Sequence, residues 1–186
     1  MLGQVATLPL VRAVAEAVPT IPVLAAGGIA DGRGVAAVLA LGAAGAWIGT
    51  RFLATPEAGI HPEYRDRLLK SAETDTVYSA LFDGGWPDAP HRVLRNSTVD
   101  AWEAAGRPAS GARPGEGEVL ATGGGREIRR YDSATPAPQM GGDIEGLSLW
   151  SGQGVGQVRD VQPAADVVRA LAAEARDILR GLAAGL

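Results

Sequence analysis

Two short apolar runs, each cut off by glycine, constrain this chain most. Ile21-Pro22-Val23-Leu24-Ala25-Ala26 stops at Gly27-Gly28, and Ala46-Trp47-Ile48 stops at Gly49-Thr50. Neither run alternates apolar with polar residues, so each reads as a strand covered on both faces, as in a parallel sheet. Helical patterns precede each strand. Leu10, Val11, Val14 and Val18 follow the spacing of one buried helix face, with Thr7 as the expected N-cap and Pro19 as the stop. Val35, Val38, Leu39 and Leu41 follow Asp31, a second expected N-cap, and Gly42 fits the C-terminal cap. Helix, strand and glycine turn, twice over in residues 7–50, is the rhythm of a parallel α/β sheet or barrel. Two strands do not make a stable parallel sheet by themselves. The remaining strands are therefore expected from another chain or from a longer form of this one.

Beyond Ala54 the rhythm stops. Residues 61–72 read as a helix with Tyr64, Leu68 and Leu69 on its apolar face. Thr76-Val77-Tyr78 and Arg92-Val93-Leu94 read as short strands, and Thr98–Ala105 as a helix around Trp102. Residues 106–117, rich in Gly, Pro, Ala and Arg, read as a surface loop, ordered or flexible. Residues 118–121 and 127–131 flank Gly123-Gly124-Gly125 and suggest a hairpin. Asp143 is expected to cap a helix running through Trp150. Pro163 suits the first turn of a final helix, whose stripe comprises Val167, Val168, Leu171, Ala175, Ile178, Leu179 and Leu182.

Composition narrows the function classes. Of 186 residues, 46% are hydrophobic and 20% charged, enough for a core. The net charge of −4 gives no electrostatic case for nucleic acid. Cysteine is absent, which excludes disulfides and thiolate metal sites, and no His/Asp/Glu spacing suggests another metal site. No apolar stretch reaches the length of a membrane span, and the start lacks the pattern of a leader, so a cytoplasmic location is expected.

The glycine turns carry the chemistry. The first turn of a helix leaves backbone donors unpaired, and the helix dipole adds positive potential. Missing Cβ atoms at Gly27, Gly28 and Gly49 would let an anion approach. Thr50 adds a hydroxyl and Arg51 a fixed positive charge. In a barrel the loops after the last two strands commonly share one phosphate site. Read from spacing, the turns are either such a site or ordinary tight connections.

The stretches Ile21–Arg33 and Trp47–Ala54 resemble the nitronate monooxygenase family, formerly called 2-nitropropane dioxygenases. Glu73–Val77, Pro90–Asn96, Gly142–Glu145, Ser151–Gly156 and the closing helix look like that family too, in order along the chain. The resemblance implies a TIM barrel of the (β/α)8 kind that binds FMN without a covalent link. It implies oxidation of alkyl nitronates with O2 to a carbonyl compound and nitrite. It carries Gly28 and the stretch Trp47, Ile48, Gly49 and Thr50 onto phosphate-contacting positions, beside Gly27 from the turn argument. Many relatives have Gln where this chain has Trp47; a backbone contact would survive that change and a side-chain amide contact would not.

On this resemblance the fold is the C-terminal portion of a TIM barrel with a smaller α+β cap segment. Residues 1–55 would supply the last two strands and helices of an FMN-binding barrel, 56–140 a cap domain, and 141–186 the closing helices. Family members carry further barrel strands, and the histidine proposed as base, ahead of the stretch matched here. The chain alone is therefore expected to be inactive or nearly so. No catalytic residue transfers onto His61 or His91: His61 reads as a surface residue at a helix start, and His91 as structural or facing a substrate cavity. Two alternatives stand beside this reading. One is a related FMN barrel of the enoyl-reductase kind; the other is a non-catalytic fragment that binds phosphate or a partner. An uncovered sheet edge would favour a homo-oligomer.

Overall fold

In a computed structural model of the chain, residues 5–185 are described. They divide into two compact units, Met1–Ala58 with Gln153–Leu186, and Gly59–Gly152.

The first unit opens with α1, Thr7–Ala17, followed by β1, Leu24–Ala26. Then come α2, Gly32–Ala40, β2, Gly45–Trp47, and the single turn α3, Thr50–Leu53. The two strands pair in parallel, Leu24 with Gly45, Ala25 with Ala46 and Ala26 with Trp47. Alternation along the strands splits their side chains between two faces. Ala25 and Ala46 join Val11, Ile29, Val38 and Ala43 in a core against α1 and α2. Leu24 and Trp47 point the other way and are 55% and 70% exposed. The expectation of strands buried on both faces is thus met on one face only. The apolar pattern is that of a fully covered strand, but the described residues place helices on one side alone.

The helix ends follow local chemistry. Asp31 caps α2, its Oδ1 accepting the Gly34 N–H at 2.8 Å. Gly42 ends the helix at φ +94°, a conformation that costs a side-chain-bearing residue about 1 kcal/mol or more. Thr7 is not the N-cap of α1: the helix starts on it, Ala6 precedes it, and its hydroxyl bonds elsewhere. The last helix, α6, spans Ala164–Ala184 directly after Pro163 and lies on α2. A short 3-10 turn, Gln153–Gln157, precedes it.

The second unit opens with α4, Pro62–Lys70, which buries Tyr64 and Leu68. β3, Thr76–Ser79, pairs antiparallel with β4, His91–Leu94, and α5 spans Ser97–Ala104. β5, Val119–Gly123, and β6, Arg126–Arg129, form the expected hairpin. Both turn residues, Gly124 and Gly125, have positive φ (58° and 73°), the requirement of the tightest hairpin turn. β7, Gly141–Gly142, adds to the other side of β5.

The helix expected from Asp143 to Trp150 does not form. Asp143 accepts the Gly146 N–H at 3.1 Å, closing a turn instead. The chain then runs extended beside β4: Leu94 N–H donates to Leu149 C=O at 2.8 Å, and Ser151 N–H to Arg92 C=O at 3.0 Å. The buried Asn96 amide holds the carbonyls of Glu145 and Leu147, each at 2.8 Å. These pairings satisfy the backbone groups that a helix would have satisfied internally.

Residues 106–117 are an ordered loop fastened from within. The Arg113 guanidinium reaches Leu81 C=O (3.0 Å), Asp83 (2.8 Å) and Glu116, and lies over the Tyr131 ring at 4.3 Å. Tyr131 Oη donates to Pro114 C=O at 2.7 Å.

Candidate functional site

The parallel register brings the two glycine bends together. Ala26 and Trp47 are opposite each other on the last rung, so Gly27-Gly28 and Ile48-Gly49-Thr50 leave adjacent strands at the same end. Neighbouring strands lie about 4.8 Å apart, within the span of one phosphate group and its donors. Gly27 and Gly28 have φ of +99° and +75°, the left-handed region that glycine enters freely. Among the described residues, a Cβ built on Gly28 or on Gly49 would meet nothing within 4 Å. Among the described residues, no turn or cap hydrogen bond takes the amide of Gly27, Gly28 or Gly49 as its donor.

The first bend is held from behind by Thr7, whose hydroxyl donates to the Gly27 carbonyl at 3.0 Å. Gly154 presses on the same bend: a Cβ there would lie 3.1 Å from Ala30 Cβ and 3.3 Å from the Gly28 carbonyl carbon.

Two parts of the sequence argument need correction. Two of the amides at the start of α2 are already taken. Gly32 N–H donates to Glu174 Oε2 at 2.7 Å, and Gly34 N–H to Asp31. Both carboxylates are themselves the favourable anions of a helix N-terminus. The open backbone is that of the two bends rather than of these two amides. Arg51 is already taken as well. Its guanidinium is buried and bound to one residue, Nη2 to Asp160 Oδ1 at 2.8 Å and Nη1 to Asp160 C=O at 3.1 Å. The contribution of α3 is also local, because one helical turn aligns few peptide dipoles.

Trp47 presents its ring on the uncovered face of the sheet, and Ile48 points back toward the α1–α2 core. What these two positions offer at the bend is backbone. The residues fit a phosphate group: paired glycines, and amides for which the described residues show no turn or cap acceptor.

Neither histidine belongs to this unit. His61 Nδ1 accepts the Glu63 N–H at 3.2 Å and so caps α4. His91 is buried with both ring nitrogens on backbone: Nδ1 donates to Ala89 C=O at 2.8 Å, and Nε2 accepts the Phe82 N–H at 3.3 Å. The ring packs edge-on to Trp150 (4.7 Å) and stacks with Trp86. Burial pushes the His91 pKa down. Its lone pair is already used, so it is a structural histidine and not a base for a substrate. Among the described residues no group of His, Asp and Glu could hold a metal ion, and no helix is long and apolar enough to cross a membrane.

Strand–helix units in parallel register, with paired glycine bends at one strand end, define an α/β unit, and the solved structures that match it are TIM barrels, of which the chain forms a portion. FabK from Thermotoga maritima matches with a TM-score of 0.71 at 27% identity, over 99% of this chain and 53% of that one. A nitroalkane oxidase from Streptomyces ansochromogenes matches with a TM-score of 0.65 at 30% identity, over 95% and 45%. The sequence profile of the family described as nitronate monooxygenase matches residues 1–174, and the chain belongs to that family. Nitronate monooxygenase npaC of Metarhizium robertsii is 36% identical over 97% of this chain and 49% of its own length. The chain thus spans about half the length of these relatives.

Proposed function

We propose that this chain carries the phosphate anchor of a flavin-dependent nitronate monooxygenase, with FMN as the flavin and alkyl nitronates and O2 as substrates. The observation that carries this reading is the Ala26–Trp47 register, which aligns the two bends. Gly27, Gly28 and Gly49 would hold the FMN phosphate through their amides, Thr50 through its hydroxyl, and Trp47 and Ile48 through backbone. Bound flavin would supply the redox chemistry, passing electrons from nitronate to oxygen. This chain's own residues anchor and orient. Thr7 fixes the first bend, and the bends offer donors that require no reorganisation when the dianion arrives.

The chain alone is expected to anchor flavin without turning over substrate. The bend unit holds no histidine, and His91 has no free lone pair to take a proton. The test uses the full chain with FMN and propyl-2-nitronate, followed by oxygen uptake. No uptake above free FMN is expected. Turnover at the rate of a full-length family member would contradict the claim that the chain is inactive alone. Reduction of an enoyl thioester with NADH, without any nitronate turnover by a full-length relative, would favour the related FMN barrel.

A further inference from the structure

The stretch Gln153–Asp160 packs on the first bend and reaches Arg51, the residue that follows the second. Gly154 is buried and sits so close to the first bend that a Cβ would be 3.3 Å from Gly28 C and 3.4 Å from Gly28 O. That spacing is tight against backbone, which cannot rotate away as a side-chain tip can. The turn is packed and hydrogen-bonded around it, with Val155 and Val158 fully buried and Val158 N–H donating to Val155 C=O at 2.9 Å. Six residues after Gly154, Asp160 takes the Arg51 guanidinium through both its carboxylate and its carbonyl. Arg51 lies in the first turn of α3, immediately after the second bend. One short segment therefore seats against Gly28 and, through Arg51, against Gly49-Thr50.

We infer that Gln153–Asp160 is a brace that sets the spacing and orientation of the two bends for a ligand phosphate, with Gly154 and Asp160 as its positioning residues. The inference rests on the phosphate-anchor reading and adds residues that make no contact with the ligand themselves. Holding two separate loops at a fixed spacing is what turns loose amides into a preorganised anion site. A side chain at position 154 shifts the first bend; loss of charge at Asp160 loosens the second.

The test compares Gly154→Ala and Asp160→Asn with the native chain and with Gly181→Ala, a glycine whose added Cβ meets nothing within 4 Å. Two readouts are taken: the 1H–15N resonances of Gly27, Gly28 and Gly49, and the ratio of FMN to riboflavin affinity from flavin fluorescence. Riboflavin lacks the phosphate, so the ratio isolates the anchor. Gly154→Ala is expected to move the Gly28 resonance, and Asp160→Asn that of Gly49. Each should lower the ratio about fivefold, the worth of roughly one amide hydrogen bond, while Gly181→Ala changes neither. Unmoved resonances, or an unchanged ratio in both variants, would overturn the brace. A native chain with no preference for FMN over riboflavin would overturn the anchor reading instead, and the brace is then judged on the resonances alone.

Discussion

Ala26 and Trp47 face each other on the last rung of the β1–β2 pair, and this register aligns the loops that follow. A slip of one residue would carry Trp47 to the helix-covered face and Ala46 to the open one. The core on the covered side has room for alanine at both central positions, Ala25 and Ala46, and so enforces the observed register. The alignment of the two bends is thus a consequence of packing under the sheet.

Arg51 tests whether its charge serves the fold or a ligand. Its side chain is 9% exposed and that of Asp160 56%. Arg51→Met should lower the unfolding free energy by about 0.5–1.5 kcal/mol in urea titration, because the Asp160 carbonyl and carboxylate lose a hydrogen-bond donor, while the exposed carboxylate stays hydrated. Asp160→Asn should cost about 1–3 kcal/mol, since it leaves the buried Arg51 guanidinium without its counter-charge. A stable Arg51→Met variant would mean that the guanidinium is not a structural tie.

Arg113 anchors the 106–117 loop, and its pairing makes the second unit sensitive to acid. The hydrogen bond from Arg113 holds the Glu116 carboxyl down at about 2, against an ordinary 4.5. A depressed carboxylate contributes stability that is present above its unfolded value and lost as pH falls through the folded one. Stability should therefore decline between about pH 4.5 and pH 2, and Glu116→Gln should flatten that decline in equilibrium unfolding. An equally steep decline in the variant would place the acid sensitivity elsewhere. Arg113→Met should cost about 2–4 kcal/mol, as two carboxylates and a buried carbonyl lose their cation together.

His91 should act in a higher pH range. Burial lowers its pKa below the ordinary 6.5, because the charged ring would lose solvation and Nε2–H would point at the Phe82 N–H. A histidine kept neutral in the fold contributes stability that is complete above 6.5. Below that value the unfolded chain binds the proton more readily, and stability falls until the folded pKa is reached. His91→Gln should remove this slope just below pH 6.5 in melting experiments. It should also alter emission from Trp86 and Trp150, which pack on the ring. A slope unchanged in His91→Gln would contradict the assignment.

The parts legible in the sequence are those fixed by neighbours along the chain. Asp31 as a cap, Gly42 as a stop, the Gly124–Gly125 turn and the two glycine bends each need only a few adjacent residues. The parts that were not legible depend on partners far along the chain. Arg51 reads as a phosphate ligand until Asp160, 109 positions on, occupies it. The start of α2 reads as an anion site until Glu174, 142 positions from Gly32, supplies the anion. Asp143 reads as a helix cap, but the carbonyls beyond it are claimed by Asn96 and the edge of β4. Gly154 enters the sequence reading only within Ser151–Gly156, as part of the resemblance; its contact with Gly28 requires the fold.

The most direct measurement of the central claim is the affinity of the native chain for FMN and for riboflavin, read by quenching of flavin fluorescence and repeated with Gly28→Val. The bends should favour FMN by tenfold or more, the worth of about 1.4 kcal/mol from several charge-assisted amide contacts. Gly28→Val should erase that preference, because a β-branched residue does not hold φ +75°. Equal affinity for the two flavins, or a preference that survives Gly28→Val, would contradict the phosphate anchor.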